Sequence, residues 1–67
     1  MQLTDISGQR LSAIRGDRTR EMVASAVGIS VSALQMYENG KRMPKDEIKK
    51  KLACYYETTV GWLFFDE

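Results

Sequence analysis

The 67 residues predict an all-α fold of five short helices around one small core. Three observations carry this expectation. Apolar residues recur at spacings of three and four along most of the chain, and no stretch alternates with a clear period of two. Ser7, Thr19, Ser30 and Thr59 each stand just ahead of such a stretch, where a helix wants a capping hydroxyl, and glycine falls mostly where a helix should stop. The length sets a single domain, residues 1–67. A chain this short buries only about 60% of its unfolded surface, so its core is marginal and dimerisation is a natural supplement.

Residues 1–6 are weakly patterned and read as a flexible arm or lead-in. Ser7 is the expected cap of a first helix running through Arg15, with Leu11 and Ile14 as its apolar stripe and Gly8 weakening its start. The turn Gly16-Asp17-Arg18 and the cap Thr19 lead into a helix over 20–27, where Glu21 suits the positive end of the dipole. Val23 and Val27 form an i, i+4 pair on its inner face. Ala24 is small enough for a close helix crossing, and Gly28 supplies the positive φ of a sharp turn.

Ser30 then caps a third helix over about 31–39, whose Leu34 and Tyr37 form an i, i+3 pair. Asn39-Gly40 ends it, and 41–44 make an exposed basic loop. Pro44 opens a fourth helix of about 45–56, with Ile48, Leu52, Tyr55 and Tyr56 on one face and Lys49, Lys50 and Lys51 on a solvated one. Thr59 caps a last short helix carrying Val60, Leu63 and Phe64. Two short helices meeting at Gly28, with Ile29 in the joint, make a helix-turn-helix. The second helix of that motif has the shape that lies in the major groove of DNA.

Net charge is only +1, but its distribution is uneven. Arg10, Arg15, Arg18 and Arg20 stand against Asp17 alone. Lys41, Arg42, Lys45, Lys49, Lys50 and Lys51 stand against Asp46 and Glu47. From residue 57 onward there are three acids and no base. Local charge of this kind steers binding more than the total does. The single cysteine, Cys54, forms no internal disulfide; it reads as a small core or near-core residue of a protein in a reducing compartment. With no histidine and no second cysteine, no metal, cofactor, catalytic cluster or small-molecule ligand is expected. Neither a signal-peptide core nor an apolar run near 18 residues is present, so a cytoplasmic location and no membrane partner are expected.

The stretch T-R-E-M-V-A-S-A-V-G-I-S-V-S-A-L-Q-M-Y-E-N-G-K-R-M-P, followed by I-K-K-K-L-A-C-Y-Y and T-T-V-G-W-L-F-F, resembles the Cro and phage-repressor (XRE) helix-turn-helix family. The most specific parts are A-x-x-x-G-I-S, Y-E-N-G-K-R-x-P and V-x-W-L-F, and the likeness extends over roughly residues 9–65. The resemblance implies the compact five-helix fold of lambda-repressor-like domains, double-stranded DNA as partner, and binding as a homodimer to an inverted repeat. It also implies that Arg15, ending the first helix, pairs with Glu38. Arg20 stands where the family usually has Gln, and the link R-G-D-R-T is about two residues shorter than in the best-known repressors.

Val31, Ser32, Gln35 and Met36 lie away from the Leu34/Tyr37 face and are the expected base-reading surface, bordered by Ser30 and Asn39. Gln35 can make two hydrogen bonds to an adenine, and Val31 or Met36 can touch a thymine methyl. Arg20, at a helix N-terminus, is expected on a phosphate oxygen, and Lys41 and Arg42 on the backbone beyond the third helix. Arg15, Glu38, Gly28 and Ala24 are structural. Trp62 and Phe65 fall off the inward stripe of the last helix and are the expected dimer contact. The function expected is a repressor of the kind phages and mobile elements carry. The competing class is a protein-interaction module, antirepressor- or antitoxin-like, using the small or apolar Val31, Ser32 and Met36 as a protein surface.

Overall fold

The computed structural model of the chain describes residues 3–65, and among these it contains five helices and no strand. They are α1 (Leu3–Arg15), α2 (Arg20–Val27), α3 (Val31–Glu38), α4 (Asp46–Tyr55) and α5 (Val60–Phe64). Helix α1 packs on α3 and α5, α2 on α3 and α4, and α4 on α5. Leu11, Val23, Leu34, Leu52, Leu63 and Phe64 are completely covered, so every helix sends at least one side chain to the centre.

The caps read from the sequence work for three helices. The hydroxyls of Thr19, Ser30 and Thr59 accept from the amides of Met22, Ala33 and Trp62 at 3.0–3.1 Å. Gly28 has φ 84°, and the amides of Gly28 and Ile29 both reach back to the carbonyl of Ala24 at 2.8 and 3.0 Å. A side chain there would be forced into the left-handed region. Gly40 closes α3 in the same way at φ 71°, with the Lys41 amide on the Met36 carbonyl at 2.9 Å.

The start of α1 departs from expectation. The helix begins at Leu3, so residues 3–6 belong to it; Met1 and Gln2 of the expected arm lie outside the described residues. Ser7 is not a cap but an interior helical residue, only 2% exposed. The reason is packing. Ser7 and Gly8 are small because α1 crosses the end of α3 there: a Cβ on Gly8 would sit 2.5 Å from the carbonyl oxygen of Glu38. Gly8 costs helix propensity and provides a close crossing.

Helix α4 is rotated from the expected register. Its inward positions are Lys49, Leu52, Ala53 and the capping Tyr56, while Ile48 and Tyr55 lie half-buried at the edge. Lys49 therefore leaves the solvated face assigned to it. Its stem is buried, and its ammonium lies 4.6 Å from the Phe65 ring centre, 5.9 Å from that of Phe64 and 3.7 Å from Asp46. An amphipathic lysine covers apolar surface this way while its charge finds aromatic faces and a carboxylate. Lys50 and Lys51 remain exposed. Cys54, turned away by the same rotation, is exposed rather than near-core.

Tyr56 packs edge-on to Tyr55, and its hydroxyl is buried with no hydrogen-bond partner among the described residues. Burial, then the nearby Glu38 carboxylate, pushes its ionisation up to about 12 from the usual 10. The folded state thus holds one more proton than the unfolded state between those values. Stability is unaffected below pH 10 and falls as pH rises through 12, by about 2–3 kcal/mol. Tyr56→Phe should remove that part of the alkaline loss and be neutral, or stabilising by about 1 kcal/mol, at pH 7. Urea unfolding of both proteins at pH 8 and pH 11.5 checks this; equal alkaline losses would show that the hydroxyl does not carry the effect.

Candidate nucleic-acid interface

Helix α3 has two unlike faces. Leu34, Tyr37 and Glu38 are buried against α1 and α2, while Val31, Ser32, Gln35 and Met36 are exposed. These four lie at i, i+1, i+4 and i+5, which puts them on one side of a helix, and the exposed Asn39 continues the row. Val31 and Met36 are 37% and 40% exposed, so two apolar side chains flank an amide in open solvent. Ser30 is exposed too, with its hydroxyl engaged as the cap of the helix. Five of the six expected base-face residues thus share one surface, and Ser30 stands exposed at the start of the helix.

Behind this surface sits a buried carboxylate. The Glu38 side chain is fully covered and takes two arginines: Arg15 Nε at 2.8 Å on one oxygen and Arg20 Nε at 3.0 Å on the other. The Glu38 hydrogen bond raises the Arg15 pKa further above its ordinary value, against the opposing effect of burial. The Arg15–Glu38 pairing that the resemblance implies is therefore present. Arg20, the expected phosphate contact, places its Nε on Glu38, a pairing that nothing in the local sequence announces, and about a third of its side chain stays open.

Each arginine of the basic stretch 10–20 has a partner within the fold, and Arg18 stays exposed. Arg10 donates to the Trp62 carbonyl and lies 4.9 Å from the Trp62 ring centre. Arg18 donates to the Ile14 carbonyl at 3.2 Å and lies 5.6 Å from the ring centres of both Tyr55 and Tyr56. By contrast the side chains of Lys41 and Arg42, just past α3, are exposed and make no ion pair or hydrogen bond among the described residues. Two cations at the end of an amphiphilic helix are suited to meet a phosphate backbone beside the bases the helix reads.

Trp62 and Phe65 are 36% and 44% exposed, off the α5 inward face as expected. Among the described residues there is no cluster of three His, Cys, Asp or Glu suited to a metal ion, and no helix long and apolar enough to cross a membrane.

A family model described as helix-turn-helix matches residues 11–63. Neither a curated relative nor a solved structure matches the chain. The match spans α2, the Gly28 turn, α3 and α4 entire, with the last part of α1 and most of α5. The chain belongs to the helix-turn-helix family of the Cro and phage-repressor (XRE) type, a family of DNA-binding regulators.

Proposed function

We propose that this protein is a sequence-specific transcriptional repressor that binds an inverted-repeat operator as a homodimer, with α3 in the major groove. The observation that carries the reading is the row Val31, Ser32, Gln35, Met36 and Asn39, open to solvent on a helix whose other face is locked into the core. An amide between apolar groups is the chemistry that distinguishes an adenine and a thymine methyl from other base edges. Lys41 and Arg42 supply affinity without sequence choice, and Ser30 borders the same surface. Trp62 and Phe65 form the isologous contact, which would set the two α3 helices about 34 Å apart on one face of the duplex. The protein works in the cytoplasm of a bacterium, encoded there or by a phage, and performs no catalysis.

Selection of bound duplexes from a random pool tests the proposal. Enrichment of an inverted repeat with half-site centres about one helical turn apart is the expected result. No enrichment, with only weak salt-sensitive retention, would favour the protein-interaction module, for which the exposure of Val31 and Met36 is the supporting observation.

Two substitutions probe the parts separately. Gln35→Ala should lose preference at one base pair in each half-site, about 1–3 kcal/mol, with non-specific affinity nearly intact. An unchanged preferred site in the selection would remove Gln35 from the readout. Lys41→Ala should weaken all duplexes alike and make the slope of log affinity against log salt shallower by about 0.9. A slope equal to the parent's would count against a phosphate contact there.

A further inference from the structure

Helices α2 and α3 are two short rods joined at the Gly28 turn, and their far ends are residues 20 and 38. A rod of eight residues is about 12 Å long, so about 10° of play at the joint moves the far end by about 2 Å. That displacement is enough to take a side chain out of hydrogen-bond range of a base edge. The open end of this pair is closed by one bond: Arg20 Nε to Glu38 Oε1 at 3.0 Å.

The two arginines on Glu38 are not equivalent. Arg15 also donates through Nη1 to the Arg18 carbonyl at 2.7 Å, so it is tied into the α1–α2 turn and anchors α3 to α1. The Arg20 side chain has no other hydrogen bond among the described residues, and about a third of it is open. Removing Arg20 leaves the carboxylate paired and the apolar core intact, and takes away the cross-brace between the two motif helices.

We propose that Arg20 is a positioning residue for DNA recognition, acting through Glu38 to fix the angle of α3 against α2. The inference rests on the reading of α3 as the base-contacting helix.

The test uses the full chain with two probes: the duplex it selects from a random pool, and a shuffled duplex of the same composition. Arg20→Met should lower the selected-to-shuffled affinity ratio about tenfold, the worth of one well-made base contact. Affinity for the shuffled duplex and its salt slope should stay as in the parent. Arg20→Gln, whose amide still donates to Oε1, should restore most of the ratio. If Arg20→Met is unfolded at the assay temperature by circular dichroism, Arg20→Lys makes the comparison, since its flexible ammonium keeps the charge without the fixed fork. Its ratio should also fall at constant slope.

A uniform loss on both duplexes with a slope shallower by about 0.9 would make Arg20 a phosphate contact and overturn the inference. An unmoved ratio would overturn it as well. A parent that selects no duplex would bring down the DNA reading and this role together, whereas a selective parent with an unmoved ratio brings down the role alone.

Discussion

The double variant Arg15→Met, Arg20→Met is expected to lose about 3–5 kcal/mol, a large share of the stability of the fold. Each single change leaves Glu38 with one guanidinium, on Oε1 or on Oε2. Arg15→Met alone should cost about 1.5–3 kcal/mol, the worth of a hydrogen bond to a charged group. Removing both partners leaves a fully covered carboxylate with no counter-ion, which costs about 3–5 kcal/mol. A domain of 67 residues has only about 3–10 kcal/mol in hand. Adding Glu38→Met to the pair should recover most of the loss, because an apolar replacement of a buried ion cluster is often neutral or stabilising. Urea unfolding of the three proteins followed by circular dichroism reads the series. A double variant as stable as the parent would mean that the ion cluster does not hold α3 in place.

Gly8→Ala is the second large effect, and here two principles predict opposite signs. In a helix interior alanine is better than glycine by about 1 kcal/mol, so propensity alone predicts stabilisation. Packing predicts the reverse. The new Cβ would lie 2.5 Å from the Glu38 carbonyl oxygen and 3.0 Å from the Gly40 amide nitrogen, and both obstacles are backbone. Neither yields without moving the end of α3 or the whole of α1. Overpacking of this kind costs about 1–3 kcal/mol, and two backbone contacts argue for the upper end, leaving a net loss of about 2 kcal/mol. For a domain this small that is a fall of about 8–16 °C in Tm, measurable by thermal melting. A Tm above the parent's would mean that α1 and α3 separate without penalty.

Glu38 recurs in both results because it is where three helices meet. Its carboxylate receives α1 and α2 through their arginines, and its carbonyl sets the approach of α1 through Gly8. Helix α3 also carries the whole proposed reading surface. Stability and sequence preference are therefore coupled through the end of one helix, and variants in this cluster need both readouts.

Much of the architecture is local, and so it is legible in the residues. Thr19, Ser30 and Thr59 cap because a hydroxyl two or three residues ahead of a free amide has its partner within its own turn. Gly28 and Gly40 end helices because only glycine enters the left-handed region without strain. The outward row from Val31 to Asn39 follows from a 3.6-residue period once Leu34 and Tyr37 are inward. These features needed no knowledge of the rest of the chain.

What the sequence by itself determined, then, is the five-helix order, the α2–α3 motif and the family, down to the residues on the outer face of α3. Tertiary structure decided the rest, and in each instance the deciding partner is far along the chain. Ser7 and Gly8 look like a weak helix start until Glu38 and Gly40 lie across them. Lys49 looks solvated until Phe64 and Phe65 cover it, and that rotation of α4 also puts Cys54 outside. The arginines of 10–20 look like a nucleic-acid footprint until Glu38, Trp62, Tyr55 and Tyr56 engage them. Periodicity and capping report a residue's neighbours within one turn. Burial and ion pairing depend on which helices cross and how closely, and only the folded chain fixes that.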